Sequence, residues 1–368
     1  MITSAIVTSQ PLHPDRQVSI VPPTTHLPRS PKREAGRQLL QEVARRANVS
    51  PATVSRALSG ATRGIYGKIA ERNKLIRKIA DELNYRPSFG ARAFQSGKTF
   101  TVALLYPGGA LQIGAQYGIM IGSAVDTLLE RDYHLTLWGL SPEKAADSDI
   151  FLNRRFDGFL IHDALAVQVH PALERSGAPA VLLNSTSLPG VPTVVPADRQ
   201  AAAQLTQQLL AIGHRRIEMI SSPAAHWSAQ EREAGYRDAM SEAGLNAVVQ
   251  HATLEPFDPA ELDWSRKPTA FVAWSSRQAL VLHAWCRERG ISIPEDLSLV
   301  TFGPNDALGL VRPGITAAEV PWRTIGHRSA NLLLEMIDHE QESAAIESIV
   351  LSESIAERAS TAPPRTTP

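Results

Sequence analysis

Apolar runs of strand type recur between residues 101 and 302, and helical stretches separate most of them. The runs are Thr101–Tyr106, Leu135–Leu140, Gly158–His162, Ala180–Asn184, Arg216–Ser221, Ala270–Trp274 and Leu297–Phe302. Helical stretches such as Gly118–Arg131 and Arg199–Ile212 lie between them. Antiparallel neighbours need only a tight turn, but parallel neighbours need a long crossover, usually a helix. Sustained alternation of this kind predicts an α/β body with parallel sheets of doubly wound type. The 368 residues are about twice an average domain, so two or three domains are expected. No internal repeat is visible.

The texture differs at both ends. Residues 1–34 are rich in Pro, Ser and Thr and carry no helical or strand period, which predicts a disordered extension reaching to about residue 36. The end of the chain, 357–368, reads the same way. From Arg37 the pattern turns helical. Leu40, Val43, Ala44 and Ala47 fall at i, i+3, i+4 and i+7, one face of a helix. Asn48-Val49-Ser50 then interrupts, and Asn tolerates the left-handed conformation of a tight turn. Ser50 suits an N-cap, and Pro51 suits the first helical position, where no N–H is needed. A second helix is predicted from Pro51 to about Leu58, with Val54 and Leu58 facing the first. A third is predicted over Ile69–Asn84, with Ile76, Ile79, Ala80 and Leu83 as its buried stripe.

Helix, three-residue turn and capped helix match helix-turn-helix spacing. The outward face of the second helix carries Pro51, Ala52, Ser55, Arg56 and Ser59. Small residues allow close approach to base edges, and Ala52 or Thr53 can touch a thymine methyl. Arg56 is long enough for a guanine edge or a phosphate, and Ser50 with the helix N-terminus offers donors to a phosphate. The alternative is a helical hairpin used only for packing. Charge distribution bears on the choice. The chain holds 37 basic and 37 acidic residues, a neutral total that speaks against nucleic acid. Residues 32–98 nevertheless hold 15 Lys and Arg against 5 Asp and Glu, and residues 99–368 hold 20 against 31. A basic head on an acidic body points to a DNA contact made by the head alone.

Enzymatic readings find little support. Ser96-Gly97-Lys98-Thr99 mimics the end of a phosphate-binding loop, but the required first Gly is Arg92 and no strand precedes it. Gly108-Gly109 opens no dinucleotide fingerprint, and there is no nucleophile elbow. His162-Asp163 and His226 lack partners at metal-ligand spacing. Gly213-His214-Arg215-Arg216 reads as a helix stop followed by a surface basic cluster. No catalytic residue, metal or cofactor is therefore expected. Cys286 is the only cysteine, so no intrachain disulfide can form, and a reducing cytoplasm fits. No apolar run is long enough to span a membrane, and residues 1–20 show no signal-peptide pattern.

The run Val43-Ala44-Arg45-Arg46-Ala47-Asn48-Val49-Ser50-Pro51-Ala52-Thr53-Val54-Ser55-Arg56-Ala57-Leu58 resembles the headpiece of the lactose-repressor (LacI/GalR) family of bacterial transcription regulators. The resemblance continues through Leu83–Pro87 and Gly90–Thr99. It returns at Asp157-Gly158, Gly213–Ile217, Arg232–Tyr236 and Gly290–Asp296, covering Leu39 to Ile337 in order. It implies a helix-turn-helix headpiece over 37–86, a hinge over 87–98, and a body over 99–356 like periplasmic sugar-binding proteins. The body divides into lobe 1, about 99–195 and 308–321, and lobe 2, about 196–307 and 322–356. Members act as homodimers, or tetramers built from them, on pseudo-palindromic operator DNA, with a small molecule between the lobes coupled to DNA affinity. The expected protein is a cytoplasmic repressor without a membrane partner.

The resemblance also assigns residues. It adds Tyr85, Arg86, Arg92 and Phe94 to the DNA contacts. Phe94, in the hinge helix Pro87–Gln95, replaces the usual Leu that wedges into the minor groove, a task Phe also suits; a core anchor for the body is the alternative. About four extra residues fall at Thr62–Lys68, where Arg63 and Lys68 add phosphate contacts or the loop simply bulges. In the cleft, Asn184 can bond a hydroxyl, and Arg232 stands where the family grips its ligand. Ser275-Ser276 replaces an Asn-Asp pair, and Gly303-Pro304 replaces an Asp-Asp pair. Trp274 and Tyr117 either stack on a ring or pack. With those carboxylates gone and Arg277 near Arg232, the pocket is expected to tilt positive. That admits a sugar phosphate or sugar acid beside a neutral sugar. A sugar receptor without a DNA role, or a regulator that has lost its effector response, is the competing class.

Overall fold

The computed structural model describes residues 31–58, 67–86, 97–107, 115–222, 226–253, 256–303, 306–338 and 347–365. The chain forms two compact units, one ending at Ser96 and one starting at Gly97. In the first, α1 (Pro31–Arg46), α2 (Pro51–Leu58) and α3 (Lys68–Glu82) surround a small apolar centre. Val43 and Ala44 of α1, Val54 and Ala57 of α2, and Ile76, Ile79 and Ala80 of α3 are buried together. Asn48 takes the left-handed conformation (φ 52°) that the turn requires. Helix α1 begins at Pro31, so it takes in 31–36, which the composition had placed in the extension. Lys, Arg, Glu and Ala are good helix formers that need no buried stripe, and a search for apolar periodicity passes over them.

The second unit contains two sheets. Lobe 1 is built from β1 (Thr101–Pro107), β2 (His134–Leu140), β3 (Gly158–His162), β4 (Ala180–Leu183), β5 (Thr193–Pro196) and β11 (Ile349–Leu351) in the order β11-β5-β4-β3-β1-β2. Every pairing in it is parallel. Helix α4 (Ala115–Leu129) and α10 (Trp322–Asp338) cover one face, and α5 (Asp163–Ser176) covers the other. Lobe 2 is built from β6 (Ile217–Ser221), β7 (Val248–His251), β8 (Ala270–Ala273), β9 (Ser298–Phe302), β10 (Thr316–Glu319) and β12 (Ser354–Ala356) in the order β12-β10-β9-β8-β6-β7. Helices α6 (Asp198–Ala211) and α7 (Trp227–Glu242) lie on one face, and α8 (Ser276–Glu288) and α9 (Asp306–Leu310) on the other. The doubly wound expectation describes both sheets except at one edge, where β12 runs antiparallel to β10.

Residues 308–338 and β11 are allotted the other way round from the expectation, while β12 lies in lobe 2 as expected. Residues 308–321 belong to lobe 2, where β10 pairs with β9. The following helix, α10, packs on α4 of lobe 1, and β11 adds to the edge of that sheet beside β5. The main chain thus crosses after β5, after β10 and after β11. A run of sequence states which residues form strands but not which sheet edge they join. The final residues are also ordered. Ser360 is fully buried, its Oγ bonded to the Thr316 N–H at 2.9 Å, and the Ala362 N–H donates to Ser298 Oγ at 3.1 Å. The expected disorder of 357–368 therefore fails through residue 365. Polar residues were read as solvated, but here their hydrogen bonds close the open backbone of lobe 2.

Two glycines mark close approaches. A Cβ on Gly326 of α10 would stand 2.1 Å from the Met120 carbonyl oxygen of α4. A Cβ on Gly235 of α7 would stand 2.0 Å from that of Arg199 on α6. Only glycine lets these helix pairs approach so closely. Among the described residues no helix is long and apolar enough to cross a membrane.

Candidate functional site

In the first unit, the Thr53 N–H donates to Ser50 Oγ at 3.2 Å, the N-cap that the sequence suggests. Val54 and Ala57 point into the apolar centre, which turns Pro51, Ala52 and Arg56 to solvent and leaves Thr53 and Ser55 half-buried. Exposed Arg72, Lys74, Arg77 and Lys78 on α3 add basic surface. On α1, Arg45 and Arg46 both clasp Glu42, holding its carboxyl down at about 2. Arg86 is exposed and pairs with Asp81 at 2.7 Å. Tyr85 departs from its expected role as a DNA contact. It is buried in the apolar centre of the headpiece, because the chain folds back after α3 and the Tyr85 N–H bonds Ala80 O at 2.8 Å. Ser59, Arg63, Arg92, Phe94 and the rest of the hinge helix lie outside the described residues, as does Pro304.

The second unit holds a cavity of about 240 Å³ at the carboxyl ends of both sheets, where ligands of doubly wound folds bind. Lobe 1 supplies Gln116 and Tyr117 from the first turn of α4 and Asn184 just past β4. Lobe 2 supplies His226, Ser228 and Arg232, then Trp274–Arg277 running from the end of β8 into the first turn of α8, and Phe302 and Gly303 at the end of β9. Val320 and Trp322, at the second crossover, complete the lining. All six residues proposed for the effector thus line one cavity. Gln116, His226, Ser228, Phe302 and Trp322 were not picked out as ligand residues. They fall on different elements, and no local spacing announces them. Asn184 and Gly303 have positive φ (49° and 118°), as the sharp exits from their strands require.

Hydrogen bonds join the lobes across this cavity. Ser228 Oγ donates to Asn184 Oδ1 at 3.1 Å, and Gln116 Nε2 donates to Ser276 Oγ at 3.3 Å. His226 Nε2 faces Asp163 Oδ2 at 3.9 Å, and Tyr117 stacks on His162 at 4.9 Å between ring centroids. Burial pushes His226 below its ordinary range and His162 down to about 4, so both rings are neutral at neutral pH. Among the described residues no group of three or more His, Cys, Asp or Glu is placed to hold a metal.

The expected positive tilt is not observed. Arg232 Nε contacts Asp198 Oδ1 at 2.5 Å, and both side chains are almost wholly buried. Its Nη1 donates to Trp274 O at 2.7 Å, and its guanidinium lies 4.3 Å over the Phe302 ring. Glu353, in the third crossover, joins the same group, its carboxyl pushed up to about 8 by burial and by the charge of Asp198. Neither Glu353 oxygen nor Asp198 Oδ2 meets an N–H or O–H donor. A proton held on the Glu353 carboxyl can be donated to Asp198, which ties the first crossover to the third. Asp198 and Glu353 thus offset the charge of Arg232 from behind the lining, from parts of the chain far from 275–276 and 303–304. His214, read as part of a surface cluster, is buried and bonds Thr269 Oγ1 at 2.9 Å, Ser298 Oγ at 3.0 Å and Ala362 O at 2.9 Å. Cys286 is buried, and its thiol is pushed up to about 12, which makes it inert.

Comparison with known proteins covers both units. Residues 39–88 match the family of bacterial regulatory proteins called lacI, and 206–361 match a periplasmic binding protein-like domain. Catabolite control protein A of Priestia megaterium is 27% identical over 83% of this chain and 95% of its own length. The transcriptional repressor PurR of Vibrio campbellii is 27% identical over 84% of this chain and 95% of its own. Among solved structures, the lac repressor dimer bound to operator and an anti-inducer superposes with a TM-score of 0.71, at 20% identity over 88% of this chain and 98% of that one. The regulator CelR in complex with cellobiose superposes with a TM-score of 0.62, at 24% identity over 87% and 99%. An exposed, capped second helix on a basic unit and a two-lobed cleft on the other thus meet matches of the same two kinds: the chain joins a lacI-type DNA-binding domain to a periplasmic binding protein-like domain, and the relatives it resembles are regulators of transcription.

Proposed function

We propose that this protein is a cytoplasmic, homodimeric repressor that regulates rather than catalyses. Its headpiece reads operator DNA with Ala52, Ser55 and Arg56. Ser50, Arg86 and the basic residues of α3 hold phosphates, and Arg92 and Phe94 act from the hinge in the minor groove. The observation that carries this reading is the solvent-facing side of α2 on a unit with a large excess of positive charge. A small molecule in the cleft sets DNA affinity, since the Asn184–Ser228 and Gln116–Ser276 bonds that join the lobes border the same cavity. A ligand favouring one arrangement of the lobes shifts the population, and the DNA-binding state with it.

The test is a gel shift on DNA upstream of the encoding gene across a salt series. Affinity should fall steeply with salt as Lys and Arg release counterions. Phe94→Ala should weaken operator binding more than binding to random DNA. Salt-independent binding, or none to any DNA, refutes the regulator and favours a receptor.

A further inference from the structure

The second unit takes up the chain at Gly97, and the residues that follow are held more firmly than a plain connection needs. Both oxygens of Asp157 are engaged there. Its Oδ1 accepts from the Thr99 N–H at 2.7 Å and the Thr99 hydroxyl at 2.9 Å, and its Oδ2 accepts from the Phe100 N–H at 2.7 Å. Phe100 has φ 50°, a left-handed conformation that is strained for a bulky side chain and persists only where its surroundings hold it. Its carbonyl accepts from the His134 N–H at 2.9 Å, and its ring lies 5.5 Å from that of Tyr133. Just before Thr99, Lys98 Nζ donates to Asp338 Oδ1 at 2.9 Å and to Ile337 O at 3.3 Å, and Arg131 Nη2 lies 3.6 Å from Asp338 Oδ2. An acid at the last position of a helix opposes the helix dipole, so Asp338 serves these cations rather than α10 itself.

The helices that meet at this anchor also reach the cleft. Trp322 opens α10, and Gln116 and Tyr117 lie in the first turn of α4; all three line the cavity. At its other end, about 25 Å away along the helix, α10 finishes at Asp338. The close approach at Gly326 and a contact of 2.6 Å between Thr127 Oγ1 and His327 Nδ1 lock α4 to α10. Leu333 and Ile337 of α10 would stand only 2.9 Å and 3.0 Å from a Cβ on Gly158, the residue after Asp157. A tilt of this helix pair at the cavity is therefore a displacement at Lys98 and Thr99.

We infer that Asp157 and Asp338 are positioning residues for operator recognition: they fix the point where the chain leaves for the headpiece and pass the pose of α4 and α10 to it. They act through the segment before Gly97 and not on DNA. The inference rests on the reading of the protein as a dimeric repressor. Two heads of a dimer must meet half-sites at a fixed spacing, which a loose anchor spoils, whereas non-specific binding needs only charge.

Gel shifts of the full chain on the upstream fragment and on a random fragment of equal length test this, with urea unfolding beside them. Asp338→Lys sets like charges against Lys98 and Arg131. Added positive charge by itself would tighten binding to any DNA. Instead the preference for the upstream fragment falls at least about fivefold, with little change in unfolding midpoint, because both side chains of the Lys98–Asp338 pair reach solvent. Lys98→Glu combined with Asp338→Lys remakes the pair with its signs exchanged and recovers the preference. Asp157→Asn, which gives up one accepting oxygen, also lowers the preference and speeds amide exchange at Thr99 and Phe100. An unchanged preference in Asp338→Lys, or in a folded Asp157→Asn, overturns the inference and leaves the repressor reading standing. A loss in Asp338→Lys that the exchanged pair does not recover, or that tracks a fall in the midpoint, also overturns it. A natural protein that prefers no DNA overturns both.

Discussion

Glu353→Gln should make this protein more stable, and the gain should grow with pH. In the unfolded chain Glu353 titrates at its ordinary 4.5, and in the folded chain at about 8. Below pH 4.5 it is protonated in both states, and neither is favoured. Between these values the folded chain holds a proton that the unfolded chain has released, so stability falls as pH rises. The slope is about 1.4 kcal/mol per pH unit, and by neutral pH the accumulated loss is on the order of 3 kcal/mol. Above about 8 the group is ionised in both states and the loss levels off. Gln has the same shape, never ionises, and its amide can donate to Asp198 Oδ2, so the tie between the first and third crossovers is kept. Urea unfolding of both proteins, followed by tryptophan fluorescence, checks this. The two should be nearly equal at about pH 4.5 and should separate by a few kcal/mol at about pH 8. Glu353→Ala, which cannot make the bond, should be less stable than Glu353→Gln throughout. Parallel pH curves for the natural protein and Glu353→Gln, or a less stable Gln variant at high pH, would refute the proton held on Glu353.

Other consequences follow from the same geometry. Arg56→Ala should lower operator discrimination by about 1–3 kcal/mol if Arg56 reads a base; an unchanged specificity ratio with a shallower salt slope in gel shifts assigns it to phosphate. Gly235→Ala puts a methyl into the Arg199 carbonyl and should cost about 1–3 kcal/mol or more, read as a lower denaturation midpoint. An unchanged midpoint would mean that α6 and α7 separate without penalty. Deleting residues 360–368 removes the buried Ser360 and leaves His214 and Thr316 without bonds they now make. It should destabilise by at least about 2 kcal/mol, since each unsatisfied buried group costs about 1–3. A truncated chain of unchanged stability would show the tail to be dispensable.

Local pattern determined much of this molecule. The Ser50 cap, the left-handed Asn48 and the apolar stripe of α1 act within a few residues, so the helix-turn-helix was legible directly. Strand texture announced four of the six strands of the lobe 1 sheet and three of the six in lobe 2, and the split of charge at Lys98 marked a basic head where the total showed none. Short strands such as β5, β10, β11 and β12 were not legible, because their runs are too brief to show a period. Only tertiary structure decided which lobe α10 and β11 join, since edge pairing depends on partners far along the chain. It moved Tyr85 from the DNA surface into the headpiece core and ordered the polar tail. Its largest effect was on the cleft. Arg232 read alone suggested a positive pocket, yet Asp198 lies 34 residues away in sequence and Glu353 much farther. Buried charge is set by what the fold brings within a few ångströms, and residue spacing along the chain carries no record of that distance.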